Sequence, residues 1–114
     1  MEDCIFCKII DRQIPSTIVY EDDNVLAFND IHPVAPVHVL IIPKKHISSV
    51  RELNEQNAGC IIDIHLAASK IAEKMGILDK GFRLINNCGK DAGQTVHHIH
   101  YHLIGGTALG EKLI

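Results

Sequence analysis

"VHHIHYHLIGG", residues 96–106, places His97, His98, His100 and His102 within six positions, and His98, His100 and His102 alternate with Ile99, Tyr101 and Leu103. Successive side chains on a β-strand point to opposite faces, so the pattern predicts a strand with one apolar face and one row of imidazoles. The apolar face belongs to a core. A lone histidine on the other face is ordinarily a hydrogen-bonded, partly buried residue. Three neighbouring rings each need a polar partner, which leaves metal ligation and phosphate chemistry as the competing readings.

Working outward, "GKDAGQT", residues 89–95, precedes the row. Its glycines let backbone N–H groups turn toward an anion, and Gln94 and Thr95 add donors. Taken alone, such a loop is an ordinary turn between strands. Beside the histidines it gains meaning, because a nucleophilic imidazole needs a phosphorus centre held by groups that stabilise developing charge. "FRLINN" before the loop reads as a strand, and Glu55 to Met75 as the long helix, with Ile61, Ile64, Ala68, Ile71 and Met75 on one stripe and Gly76 as its stop. Ser49 and Glu52 fit a capping box. "HVLIIP" is a strand ended by Pro43, and Asp30 to Pro36 is a loop. "STIVYEDD" and "NVLAFND" form a hairpin around Asp22 to Asn24, and "CIFCKIIDRQ" is a short helix that stops before Pro15. Helix, three strands, helix, two strands predicts an α+β fold with a five-stranded antiparallel sheet and one domain over 1–114.

Composition narrows the function classes. A formal charge of −3 and a pI near 6.2 provide no basic face for duplex nucleic acid. No apolar run approaches the roughly 18 residues of a membrane helix, and Met1 opens onto "EDCIFCKII" without a signal-peptide pattern, so a cytoplasmic protein is expected. Cys4, Cys7, Cys60 and Cys88 are too few and too irregular for a disulfide scaffold. Cys4-Ile5-Phe6-Cys7 has the spacing of half a thiolate metal site, and zinc takes four sulfur or nitrogen ligands. Free thiols and a redox pair are the alternatives, the latter without the preceding strand that motif requires. Cys60 and Cys88 read as small buried apolar residues.

Together these stretches carry a resemblance. His98-Ile99-His100-Tyr101-His102-Leu103-Ile104, with "GQTV" before and "GG" after, plus "CIFCKII", "IPSTIVYEDDNVLAFNDIHPVAPVHVLIIPKKHI" and "FRLINN", resembles the histidine triad family in its branch of small nucleotide-binding phosphoramidases. The resemblance implies that His100 attacks the α-phosphorus of a purine nucleoside 5′-phosphoramidate, giving a nucleotidyl-histidine that water hydrolyses. It implies that His102 and Thr95 contact the α-phosphate or leaving group, that Gly93, Gln94 and Asn87 lie around the phosphate, and that His38 is linked to the nucleophile. Asp30 would bind the ribose hydroxyls, while Ile31, Phe6 and Phe28 would wall the base or serve as core. His46 and His98 would complete a structural zinc site with Cys4 and Cys7, and no catalytic cofactor is implied. A homodimer through the long helix and an adjacent strand is implied as well.

His97, His32 and Ala92 depart from the residues common in that family, and the tail "TALGEKLI" lacks the aromatic end of many relatives, so substrate preference does not carry over. Two further readings stay open from the sequence. One is a metal-dependent hydrolase using the HxHxH row as ligands; the other is a nucleotide-binding, zinc-stabilised regulatory protein with little catalysis.

Overall fold

The computed structural model describes residues 3–114. Helix α1 spans Ile5–Ile10, followed by strands β1 (Ile18–Glu21), β2 (Val25–Asn29) and β3 (Val37–Pro43). Helix α2 covers Gly59–Lys74, and β4 (Phe82–Asn86) and β5 (Tyr101–Gly105) complete one antiparallel sheet in the order β1-β2-β3-β5-β4. Single 3₁₀ turns occupy Val50–Glu52 and Lys90–Ala92.

Alternation divides the sheet into two faces. Val25, Ala27, Val39, Ile41 and Leu103 pack with Ile64, Ala68 and Ile71 of α2 in the larger core. Leu26, Phe28, Leu40 and Ile42 point the other way and pack against Phe6 and Ile9 of α1 in a smaller one. β3 lies between β2 and β5 and is buried along its whole length. The sheet face under α1 also carries His38 and His102, because His38 precedes Leu40 by two residues and Leu40 pairs with His102. His38 and His102 are thereby diagonal neighbours on one face, within reach of each other's rings.

Three boundaries differ from the sequence reading. α2 begins at Gly59 rather than near Glu55, because Asn54 captures the chain first: its Oδ1 accepts from the N–H groups of Gln56 and Asn57, which closes a turn ahead of the helix. Ser49 sits at the start of its 3₁₀ turn without a side-chain capping bond; its backbone carbonyl takes the Glu52 N–H instead. The ladder of β5 begins only at Tyr101, because residues 94–99 bond to the segment following β3. Gln94 Nε2 donates to the Ser48 carbonyl at 2.7 Å and the Ile99 N–H donates to the Ile47 carbonyl at 2.7 Å. The side-chain alternation nevertheless starts earlier, with Ile99 in the larger core and His98 and His100 against Phe6. Gly76 does stop α2, at φ +76°.

Candidate functional site

The three alternating histidines share a face yet do different work. His98 is fully buried and its Nε2–H donates to the Pro43 carbonyl at 2.8 Å, leaving Nδ1 with a lone pair. His100 Nδ1–H donates to the carbonyl of His98, also at 2.8 Å. That bond requires the His100 proton on Nδ1, so its Nε2 carries the lone pair and makes no protein hydrogen bond among the described residues. Phe6 stands edge-on to the His100 ring with centroids 5.1 Å apart and restricts its tilt. Asn86 Nδ2 in turn donates to the His100 carbonyl at 3.0 Å.

His102 belongs to a second chain of bonds. The Val34 N–H donates to His38 Nδ1 at 3.1 Å, so the His38 proton resides on Nε2, which lies 2.9 Å from His102 Nδ1. His102 Nδ1 must then accept, and its own proton is left on Nε2 as an outward donor. Burial lowers the His102 pKa, with the nearby His100 and His38 acting in the same direction. Asp30 Oδ2 approaches His38 Nε2 to 3.4 Å, and Asp30 Oδ1 accepts the His32 N–H at 2.8 Å. Here the structure departs from the expected link between His38 and the nucleophile, since His38 bonds to His102 and touches His100 only through it. Rings His100 and His102 are 5.6 Å apart. The pair thus offers one open imidazole lone pair beside one imidazole N–H.

The other end of the row enters a sulfur and nitrogen cluster. One ligand atom from each of Cys4, Cys7, His46 and His98 lies within 4.8 Å of all the others. His98 Nδ1 is 3.4 Å from Cys4 Sγ, 3.6 Å from Cys7 Sγ and 3.2 Å from His46 Nδ1, and Cys7 Sγ is 3.3 Å from His46 Nδ1. Zinc bonds of about 2.3 Å to sulfur and about 2.0 Å to nitrogen, set tetrahedrally, separate ligand atoms by roughly 3.3 to 3.8 Å. These four residues fit a metal ion, and the donor set suits zinc. The bond from His98 Nε2 to Pro43 is the outer support that selects Nδ1 as the ligating atom. Burial first, then the adjacent Cys4, pushes the Cys7 thiol up to about 11, so Cys7 stays protonated until a cation claims it.

Burial also lowers His98 to about 4 from 6.5. The folded chain holds this ring neutral while the unfolded chain takes up a proton below 6.5, so its contribution is complete above 6.5 and is lost as the pH falls toward 4. For metal-free protein the urea midpoint is therefore expected to fall through that interval as acid is added; a midpoint constant across it contradicts a buried neutral His98.

The HxHxH row is not one metal site. His98 faces the cysteines, His102 joins Asp30 and His38 in a separate cluster, and His100 is in neither. The carboxylate companion that the row lacks in sequence is Asp30, brought in by the fold. The phosphate loop is also organised differently from the sequence expectation. Gln94 is buried, and its amide is spent on the carbonyls of Ser48 and Val96 and the N–H of Gly89, so it pins the loop. Asn87 Nδ2 donates to the Ala92 carbonyl at 2.7 Å and braces the same turn, which Gly93 closes at φ +86°. Thr95 is exposed and borders a cleft of about 740 Å³ with His46 and His97.

Asp30 and Ile31 border a second cleft of about 450 Å³ together with Ser16 and Thr17, two residues the sequence reading missed because nothing in their spacing ties them to the histidines. Ile31 is 85% exposed, whereas Phe6 and Phe28 are core, their rings 5.6 Å apart edge to face. Of the expected base walls, then, only Ile31 is open to a ligand. Cys60 and Cys88 are half-buried rather than buried.

Fold and site together define a class: a small α+β domain in which a histidine-bearing strand runs from a Cys₂His₂ cluster to an open imidazole. The family model described as scavenger mRNA decapping enzyme C-term binding matches residues 3–112. The chain is 49% identical over 112 residues to a purine nucleoside phosphoramidase of Escherichia coli (strain K12), covering 98% of this chain and 94% of that protein. A solved HIT family hydrolase from Clostridium thermocellum superposes with a TM-score of 0.98 at 62% identity, covering 100% of this chain and 99% of the other. A histidine triad protein from Clostridium difficile gives 0.95 at 51% identity, over 98% and 97% of the two chains. The chain belongs to the histidine triad (HIT) family.

Proposed function

We propose that this protein is a purine nucleoside phosphoramidase that works through a nucleotidyl-histidine intermediate on His100. The observation that carries the reading is the bond from His100 Nδ1–H to the His98 carbonyl, which leaves Nε2 as a fixed nucleophile. In the first step Nε2 attacks the α-phosphorus and the P–N bond breaks. His102 Nε2–H gives its proton to the departing nitrogen, which leaves as the amine. Water then attacks the same phosphorus, its proton passing to His102 Nε2 as the P–N bond to His100 breaks, which releases the nucleoside monophosphate and returns both rings to their starting states. Thr95 and the Gly93 turn present donors to the phosphate, braced by Gln94 and Asn87. Asp30 takes the ribose hydroxyls, and Ile31 covers the base above the Phe6 and Phe28 core. The identity to the E. coli purine nucleoside phosphoramidase supports a purine nucleotide ligand, which we take to be of AMP type.

Zinc is the metal we assign to Cys4, Cys7, His46 and His98. When bound it would cross-link α1 to the segment after β3 and to the segment leading into β5 through these four side chains, and no step of the reaction is routed through it. A reducing cytoplasm keeps both cysteines available as ligands. AMP release from adenosine 5′-phosphoramidate at neutral pH is the direct test. Release that chelation slows without abolishing supports the reading, whereas no release from folded protein moves it to the nucleotide-binding regulatory alternative.

We further propose a homodimer. Ile62 and Leu66, one turn apart on α2, are 65% and 60% exposed, and β4 is an open edge of the sheet. Replacing both residues with aspartate is expected to shift the protein from dimer to monomer in sedimentation equilibrium; a wild type that already sediments as a monomer removes the proposal.

A further inference from the structure

We infer that the Cys4, Cys7, His46 and His98 cluster is a positioning device for His100, acting through the His98–Ile99 peptide; this rests on His100 being the nucleophile. His98 is the residue whose side chain enters the cluster while its main-chain carbonyl holds the His100 proton. The side chain is fixed at both nitrogens, Nδ1 in the cluster and Nε2–H on Pro43. The peptide that follows is fixed as well. In a planar trans peptide the N–H and C=O point in opposite directions. The Ile99 N–H is tied to the Ile47 carbonyl at 2.7 Å, so the His98 carbonyl is turned away from that segment and onto His100 Nδ1.

Ile47 immediately follows His46, itself a member of the cluster. A metal ion there closes a small ring: His46 to Ile47 along the chain, Ile47 to Ile99 by hydrogen bond, Ile99 back to His98, and His98 to His46 through the ion. Remove the ion and this ring is open, with the His98 imidazole left to its Pro43 bond and to hydrogen-bond contacts with the thiols in place of coordination. A neutral imidazole can carry its proton on either nitrogen, and only the Nδ1–H form leaves Nε2 free to attack. The ion therefore selects the nucleophilic tautomer of a residue it does not touch. His98 and His46 are positioning residues in this scheme; His100 remains the catalytic one.

The test is two-bond ¹H–¹⁵N correlation of the histidine rings in full-length protein, recorded while zinc is withdrawn by chelator from wild type and from Cys7→Asp, which keeps a weaker ligand. Backbone amide signals of β2, β3 and α2 report folding in the same samples. The expected result is a single Nδ1–H form of His100 in loaded protein that becomes a mixture of tautomers as zinc leaves, with the amide signals of β2, β3 and α2 retained in a folded pattern and with the midpoint displaced to higher free zinc in Cys7→Asp. In parallel kcat should fall roughly 10- to 100-fold, as for other outer supports of a site, while KM stays within about twofold. A His100 tautomer that is indifferent to zinc occupancy overturns the inference. So does wild type that binds no zinc, or a tautomer change that occurs only with global loss of amide signals. Because the ring spectrum needs no turnover, a protein that fails to release AMP but shows the coupled tautomer would overturn the phosphoramidase reading and leave only the coupling between the cluster and the His100 ring.

Discussion

Replacing His100 with alanine is expected to lower kcat for AMP release by about 10⁴-fold or more while leaving nucleotide affinity within a few-fold, since the covalent route depends on one nitrogen. The substitution removes a ring that is already buried and packed edge-on to Phe6, so a folding control is needed: the near-native melting profile of His100→Gln or His100→Ala. His102→Ala should cost less, on the order of 10²-fold, because it removes a donor and not the bond-forming atom. Its partner His38 offers a finer test. His38→Ala deletes the acceptor of the Val34 N–H and the donor to His102, which releases the His102 ring to either tautomer. Mass spectrometry of wild type quenched during turnover should show one nucleotidyl group on the peptide containing residues 98–102. If His100→Ala retains turnover near the wild-type rate, or no adduct forms in a single-turnover burst, covalent catalysis at this position is wrong.

Metal removal should have the second large effect, on stability. Helix α1 has six residues, too short to persist in water without tertiary support. What holds it is the burial of Phe6 and Ile9 in the smaller core and the side chains of Cys4 and Cys7. Each of the two apolar side chains contributes about 1.5 to 2 kcal/mol when buried, so undocking α1 costs about 3 to 4 kcal/mol. For a chain of this size that is a fall in Tm of roughly 12 to 20 °C. The comparison is differential scanning calorimetry of zinc-loaded protein, chelated protein and the Cys4→Ala, Cys7→Ala double variant, with metal content measured on the same samples. The last two should melt together, well below the first. A metal content near zero in native protein with both thiols free, or no change of Tm on chelation, would contradict a structural zinc.

The two effects are separable because they fall on opposite sides of His98. On one side its imidazole joins α1 to the segment after β3; on the other its carbonyl governs His100. Chelation therefore should not mimic His100→Ala. It should loosen α1 and slow turnover in part, whereas the His100 variant should abolish turnover and leave α1 in place.

Local periodicity made the sheet legible. Ile99, Tyr101 and Leu103 alternate with three histidines, Ile64, Ala68 and Ile71 recur at helical spacing, and Gly76 marks a helix end, all properties of neighbouring residues that the strand and helix repeats translate directly into faces. The start of α2 was not legible, since the Asn54 turn competes for the same backbone groups at a cost that no periodicity reveals. Nor was the start of β5, because the Gln94 side-chain amide and the Ile99 N–H are claimed by Ser48 and Ile47 about fifty positions away.

The site divides in the same way. Residue types and spacing were enough to single out His98, His100, His102 and the Cys4, Cys7 pair, because imidazoles and thiols are costly to place together without a function. Which nitrogen of each ring carries the proton was decided only by tertiary structure. His38 and His102 are 64 residues apart in the chain and meet because β3 pairs with β5, and Asp30 joins them from the loop after β2. The sequence by itself determined which groups were present and on which face of a strand they would stand. The assembled sheet decided which of them donate, which accept and which is left with an open lone pair, because a hydrogen bond is a property of two residues and the partner lies on another strand.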